Sequence, residues 1–195
     1  VYAQDTWEWD GTSWSLRDGG GYLGAPGARA SAALTFDPNA SQLVLFGGFD
    51  GTNHSNGLYG WNGTTWSFRS LAVGAARPSA RSECAMAYDP ARGTVVLFGG
   101  RTGASSYAAD SWEVNIQGGT FPWSPVTTLA TPSARGACSM APDPQGGGLV
   151  LFGGWGGGSS NAETWRYLGG SSPRITAVSP SVLRCEGPAE TFRVA

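Results

Sequence analysis

The sequence contains no lysine, a single histidine and only three cysteines. All 12 basic residues are arginine, which excludes Schiff-base chemistry and a lysine general base. A histidine-based metal site or a Ser-His-Asp triad would depend entirely on His54. The odd number of cysteines, Cys84, Cys138 and Cys185, does not indicate a full disulfide framework.

Charge and long apolar runs are also scarce. Charged residues make up 13% of the chain, the net charge is −2 and there is no basic stripe, which argues against nucleic acid as a partner. No apolar run approaches the ~18 residues of a membrane-spanning helix, so we expect no transmembrane segment. Residues 1–5 do not read as a signal peptide, and if the protein is exported we expect that signal to have been removed.

Glycine, proline and tryptophan are abundant instead. The 195 residues include 31 glycines, 12 prolines and 9 tryptophans. Disordered chains are poor in aromatic residues, so the glycine and proline indicate many turns rather than disorder. Many turns combined with ample apolar surface are typical of all-β proteins with short strands.

One sequence pattern occurs three times, at spacings of 52 and 54 residues. Its centre is the string Leu-Phe-Gly-Gly, at 45–48, 97–100 and 151–154. An Ala-Arg pair and an Asp-Pro pair precede each copy in the same register. Each copy divides into four short β segments, a to d, which in the second copy are about 82–88, 94–98, about 111–116 and about 123–128. Segment b is continuously apolar, as expected for a strand covered on both faces.

The repeat resembles the kelch signature, in which an apolar run ends in Gly-Gly and two spaced aromatic residues follow. Trp7 and Trp14, like Tyr59 and Trp66, have six residues between them. The strings at 9–14 and 61–66 are similar to kelch-type repeats of bacterial extracellular proteins. A period near ~50 residues with four antiparallel strands is typical of a β-propeller blade. The resemblance implies an all-β fold of kelch-type blades over residues 1–170.

The blades do not complete a ring. The chain begins in segment c, and Ser172 stands where the last segment d should carry its aromatic residue. About three and a half blades, or thirteen strands, do not close a propeller. We favour a portion of a longer propeller. The alternatives are that the first c and d strands complete the last blade of a second copy, or that a small ring closes irregularly. Unpaired blade edges predict self-association.

Residues 171–195 depart from the repeat. Residues 173–181 predict a strand entering a turn, and 192–194 a second strand. The first resembles the opening strand of IPT/TIG-type immunoglobulin-like modules, which would make this segment the start of such a module. A tail strand packed on the propeller is the alternative.

Ligand-binding candidates follow from the loops. In an antiparallel blade the b–c and d–a connections lie on one face, which we call the b–c face. The a–b and c–d turns nearly repeat, whereas the b–c loops differ, as in a scaffold that separates folding from recognition. The candidates in these loops are Asp50, His54, Arg101, Tyr107 and Trp155.

A second candidate group lies on the same face, at the start of segment a: Arg29, Arg81 and Arg135. As a ring near the axis they would hold a carboxylate or an anionic sugar by bidentate contacts. Alternatively, each arginine pairs within its blade with an acid such as Asp110 or Glu163. We expect Cys84 and Cys138, which share one register, to be small buried thiols. No metal or cofactor is predicted.

We therefore expect a non-catalytic binding or scaffold module of a secreted or cell-surface bacterial protein, recognising a protein or a glycan through the b–c face. A structural subunit that assembles through blade edges is one alternative. A fragment of a kelch-type carbohydrate-active enzyme is another, because a sugar-isomerising enzyme using only arginine and glutamate stays open. Glu83 would be its acid of interest.

Overall fold

The structure is a computed structural model that describes residues 1–69, 74–117, 121–128, 130–168 and 174–178. Within these ranges it contains fourteen β-strands and no α-helix, which confirms the predicted all-β fold. It follows that no helix in the described ranges is long and apolar enough to cross a membrane.

The strands form one two-stranded and three four-stranded antiparallel sheets. The half-blade is the hairpin of β1 (Thr6–Trp9) and β2 (Trp14–Asp18). Blade 1 contains β3 (Ala33–Asp37), β4 (Gln42–Phe46), β5 (Leu58–Trp61) and β6 (Trp66–Phe68). Blade 2 contains β7 (Ala85–Asp89), β8 (Thr94–Phe98), β9 (Ser111–Val114) and β10 (Trp123–Val126). Blade 3 contains β11 (Ser139–Asp143), β12 (Gly148–Phe152), β13 (Thr164–Leu168) and β14 (Arg174–Val178).

The blades lie side by side in an unclosed arc. Each sheet follows the order a-b-c-d, and β7 contacts both β3 and β11, so the a strands of the three full blades neighbour one another. The prediction of about three and a half kelch-type blades in an incomplete ring is confirmed.

The structure contains one strand more than the thirteen predicted. Strand β14 pairs with β13 along its whole length and supplies segment d of blade 3. This segment lacks the aromatic residue that marks segment d in the other copies, so the motif did not identify it. Blade 3 therefore has its own c and d strands and leaves no place for the half-blade of a second copy.

The assignment of residues 171–195 to an immunoglobulin-like module stays a prediction. Residues 169–173 and 179–195 lie outside the described ranges, and with them Ser172, Cys185 and the second strand predicted at 192–194.

The b strands lie at the centre of two apolar interfaces between blades. Val95, Val96, Leu97 and Phe98 of β8 are all buried, as predicted for a strand covered on both faces. Towards blade 1, Val95 and Leu97 join a core that includes Phe46 of β4. Towards blade 3, Val96 packs in a second cluster with Leu149, Tyr167 and Ile175. Removal of this apolar surface from water holds neighbouring blades together.

The a–b turns are fixed by aspartate side chains. Oδ1 of Asp37, Asp89 and Asp143 accepts backbone N–H groups two residues further on, at 2.8, 2.9 and 3.1 Å. Asp10 and Asn62 hold the c–d turns in the same way. This bonding is the turn chemistry expected of Asp and Asn, and it makes the face opposite the b–c face a repeated framework.

Candidate functional site

The three b–c loops share one backbone arrangement although their side chains differ. The residue after each Gly-Gly pair, Phe49, Arg101 or Trp155, bridges back to the start of segment a at residues 30, 82 and 136. The same residue bridges forward to His54, Tyr107 or Ser160. Each loop therefore presents two side chains on a repeated backbone, and these side chains differ from blade to blade.

The Gly-Gly pair is required by this geometry. The second glycine, Gly100, has a φ of 106°. A Cβ atom at Gly100 would lie 2.8 Å from the carbonyl oxygen of Ser82 and from the Cβ of Cys84. Any other residue would therefore push the loop away from segment a.

A cleft of about 560 Å³ opens on the b–c face between blades 1 and 2. One part of its lining is aromatic: the Phe49 ring lies 6.3 Å from the Tyr2 ring and 4.9 Å from the His54 ring, centroid to centroid. Another part is charged, with Nη1 of Arg101 3.7 Å from Oε1 of Glu83. The cleft thus combines an apolar wall with an ion pair.

The polar side chains of this region form hydrogen bonds with the backbone of their own loops. Arg101 donates to the carbonyl oxygens of Gly103 and Ala104, at 3.0 and 2.6 Å. Oδ1 of Asp50 accepts the backbone N–H groups of Asn53 and Thr52, both at 2.7 Å, and these hydrogen bonds lower its pKa. Asp50 therefore forms a turn next to the cleft. The buried Nδ1 of His54 has no hydrogen-bond partner within the described residues.

Glu83 owes its place to an unusual backbone conformation. Its φ is 58°, and the φ values of Ser31 and Ala137 in the same register are 55° and 53°. The Glu83 N–H donates to the Ser31 carbonyl at 2.9 Å, and the Ala137 N–H donates to the Glu83 carbonyl at 2.8 Å. Because all three blades share the positive φ, it is a feature of the repeated fold near the axis. It is therefore not strain specific to Glu83 that would mark a catalytic acid.

Arg81 and Arg135 are buried, and each forms an ion pair and hydrogen bonds within its own blade. Arg81 donates to both carboxylate oxygens of Asp110, at 2.6 and 3.0 Å, and to the Gly99 carbonyl at 2.8 Å. Arg135 donates to Glu163 at 2.5 Å and to the Gly153 carbonyl at 3.1 Å. Their guanidinium groups bond within the blade and are fully covered, so they do not form the anion-binding ring. Arg81 and Arg135 instead pair with acids of their own blades, as the alternative prediction stated.

The acids in these pairs respond to their arginines. Burial raises the pKa of Asp110, but the hydrogen bonds from Arg81 and Trp112 outweigh it and the pKa is lowered. The hydrogen bonds from Arg135 and Trp165 lower the pKa of Glu163. Both acids therefore stay ionised at neutral pH.

Arg29 differs because Gly57 stands where blades 2 and 3 have their acid. It donates to the carbonyl oxygens of Gly27 and Gly47, at 2.8 and 2.9 Å, and lies 5.1 Å from the centroid of the Tyr59 ring. It lines a cavity beside the half-blade rather than the cleft.

The cleft brings together His54 and Arg101 of the predicted candidates. Tyr107 belongs to the same loop as Arg101 but lies on its blade 3 side, where a Cβ at Gly157 would lie 3.3 Å from the Tyr107 ring. Trp155 belongs to the b–c loop of blade 3. Trp155 is exposed. Sequence reasoning missed Tyr2 and Phe49, although Phe49 follows Gly-Gly directly, as Arg101 and Trp155 do. The position of Tyr2 beside Phe49 has no sequence signal.

The thiols lie next to the Gly-Gly pairs, since a Cβ at Gly100 would lie 2.8 Å from the Cβ of Cys84 and one at Gly154 3.0 Å from that of Cys138. Cys84 and Cys138 are both free, and burial raises the pKa of Cys84 to about 12 and that of Cys138 in the same direction. Within the described ranges, no three His, Cys, Asp or Glu side chains form a group that could hold a metal ion.

Comparison with known proteins indicates a family and a fold. Residues 3–169 match the KLHDC2/KLHL20/DRC7 Kelch-repeats domain. The solved structure of YjhT is similar, with a TM-score of 0.59 at 13% identity. The match covers 83% of this chain and 47% of that chain, so this chain spans about half the length of YjhT. At this identity the likeness shows the fold alone. No curated protein matches the sequence.

Proposed function

Because the chain belongs to the KLHDC2/KLHL20/DRC7 Kelch-repeats domain family, we propose that it is a non-catalytic module that binds a protein segment through the b–c face. The observation that carries the proposal is the cleft of about 560 Å³, lined by side chains that differ between blades on a repeated backbone. Variable positions on a rigid scaffold are typical of recognition surfaces.

The chemistry of the cleft indicates what it binds. Phe49 and Tyr2 supply an apolar wall for an aliphatic or aromatic side chain. Arg101, which is held by its own loop and is partly exposed, offers a donor for a carboxylate or carbonyl group of the partner. Aromatic residues and arginine are the side chains that most often dominate binding energy at interfaces. We expect a partner segment with an apolar anchor next to an acidic or amide group.

We also propose a setting for this module. The resemblance of the strings at 9–14 and 61–66 to kelch-type repeats of bacterial extracellular proteins supports a secreted or cell-surface bacterial protein. A separate resemblance, that of residues 173–181 to the opening strand of an IPT/TIG-type module, supports residues 171–195 as the start of such a module, although β14 is also the d strand of blade 3. A glycan is the second candidate ligand, favoured by the exposed indole of Trp155.

Two other roles are less well supported. Assembly through blade edges is favoured by the open edge of β1 within the described residues. A carbohydrate-active enzyme would use Glu83 beside Arg101. Against it stands the conformation of Glu83, which Ser31 and Ala137 share.

Peptide selection on the full chain tests the proposal. Binders from a random library are expected to lose at least about tenfold in affinity, or ~1.4 kcal/mol, for R101A and F49S. T64A and Q145A, exposed on the opposite turns, serve as matched controls and should bind as the wild type does. A glycan array probed with wild type, R101A and W155A separates the glycan alternative. Binding that survives the loop variants and is lost in the turn variants would contradict the proposal.

A further inference from the structure

Glu83 and Gly136 are two touching positions at which the chain departs from its own repeat. Ser31 and Ala137 occupy the register of Glu83 in the other blades, so the fold itself does not need a carboxylate there. Gly136 stands where the other two blades have a residue with a side chain. A Cβ atom at Gly136 would lie 3.1 Å from Oε2 and 3.1 Å from Cβ of Glu83. The missing side chain in blade 3 therefore makes room for the larger one in blade 2.

The Glu83 carboxylate keeps open acceptor positions in the cleft. Its side chain is 24% exposed, and Nη1 of Arg101 lies 3.7 Å from Oε1, beyond hydrogen-bond distance. Nε and Nη2 of Arg101 donate instead to two carbonyl groups of its own loop. Arg101 would have to give up these hydrogen bonds to fill the acceptor positions of Glu83. A half-buried carboxylate that receives no hydrogen bond from the described residues favours a charged donor from a ligand.

Aromatic rings line the same cleft. The ring planes of Phe49 and Tyr2 are inclined by 84°, with the centroids 6.3 Å apart, and both residues line the cleft together with Glu83. The negative face of an aromatic ring attracts a cation, and the methylene stem of a long basic side chain packs on apolar surface. A carboxylate and two rings in one cleft of about 560 Å³ are suited to such a side chain.

We propose that Glu83, Phe49 and Tyr2 form a subsite for a cationic side chain, lysine or arginine, of the partner segment. The ammonium or guanidinium group donates to the Glu83 carboxylate, and the stem packs on the rings. The inference rests on the proposed function of the b–c face. It adds a cation to the apolar anchor and the acidic or amide group expected there, so that Glu83 and Arg101 bind groups of opposite character side by side.

Selection of peptides from a random library on the full chain tests the subsite. Peptides that bind the wild type should carry lysine or arginine at one position more often than the library does. Selection on E83S should lose this preference, and Ser31 shows that the fold accepts serine at this register. E8Q removes an exposed carboxylate of the half-blade and is the control, which should select the same peptides as the wild type.

A double-mutant cycle measures the contact itself. Methionine in place of the selected cationic residue removes its charge and keeps an apolar stem. The exchange should weaken binding to the wild type at least about tenfold and have no further effect on E83Q, because the charged hydrogen bond is already lost there. G136A, whose Cβ would crowd Oε2 of Glu83, should also weaken the parent peptide and not the methionine peptide. E83Q and E83S should melt as the wild type does.

Three outcomes overturn the proposal. These are selected peptides without a preference for lysine or arginine, a methionine effect of equal size on wild type and E83Q, and a lowered Tm of both Glu83 variants. Peptides that F49S weakens and E83Q does not would reject the cationic subsite and leave recognition by the b–c face intact. Peptides that bind F49S, R101A and E83Q as they bind the wild type would reject the proposed function together with the subsite.

Discussion

Replacement of Arg81 by methionine tests whether this arginine stabilises its blade through its ion pair and hydrogen bonds, and not only through the packing of its apolar stem. Methionine keeps much of the apolar stem but removes every donor of the guanidinium. Arg29 stands at the same register of blade 1, where Gly57 occupies the position of the acid, so R29M is the matched comparison. If the ion pair and hydrogen bonds of Arg81 stabilise blade 2, R81M should destabilise the chain clearly more than R29M.

The magnitudes follow from the contacts. Arg81 donates to Asp110, to the buried Gly99 carbonyl and to Ser79, while Arg29 donates to two carbonyl groups and lies over Tyr59. Breaking a buried ion pair costs about 3–5 kcal/mol. Asp110 is 43% exposed, so water screens part of that interaction and the lower end applies. For R29M, two modest hydrogen bonds and a partly exposed cation–π contact amount to about 1–2 kcal/mol.

Thermal unfolding followed by tryptophan emission checks the difference. At about 2–4 °C per kcal/mol for a chain of this size, R81M should lower Tm by about 6–12 °C and R29M by about 2–8 °C. Urea midpoints under identical conditions provide the second measure. If R81M lowers Tm and the urea midpoint no more than R29M does, the Arg81–Asp110 pair does not stabilise blade 2 as we describe.

Three further predictions concern the same framework. Asp110 has a lowered pKa when folded, so its stabilisation is present above the unfolded carboxyl pKa of about 3.9 and lost as pH falls through the folded value. The Tm gap between wild type and D110N should therefore narrow in acid, and a constant gap would contradict it. A137G should gain about 0.5–1 kcal/mol of unfolding free energy because glycine accepts positive φ, and A137V should lose stability; the reverse order in urea titrations would count against the backbone assignment. In a C185S background, Cys84 should react with a thiol reagent more slowly than Cys138, and both should react fast only after unfolding; fast labelling of Cys84 in the native state would exclude its burial.

The strands were predictable because their signals are local. The apolar run of β8 occupies 94–98 in both sequence and structure, since a continuous apolar run before Gly-Gly defines it without reference to other blades. The c segment, expected at about 111–116, ends at Val114. Strand β14 was not identified as segment d because pairing with β13, rather than any marker of its own, makes it the fourth strand.

The site was predictable only in part, because its composition depends on packing between blades. The repeated register placed Arg81 near Asp110, and the glycine at position 57 already distinguishes Arg29 from the other two arginines. By contrast, His54 and Arg101 come together with Glu83 only when blades 1 and 2 pack against each other. Tyr2, which precedes β1 of the half-blade, reaches Phe49 of the blade 1 loop in a contact without periodicity or motif.

Hydrogen exchange with a selected ligand bound tests most directly whether the b–c face recognises the partner. We expect slowed exchange in the loops 49–56 and 101–109, and unchanged exchange in the turns 10–13, 62–65 and 89–93. Protection confined to those turns, with the loops unchanged, would contradict the account.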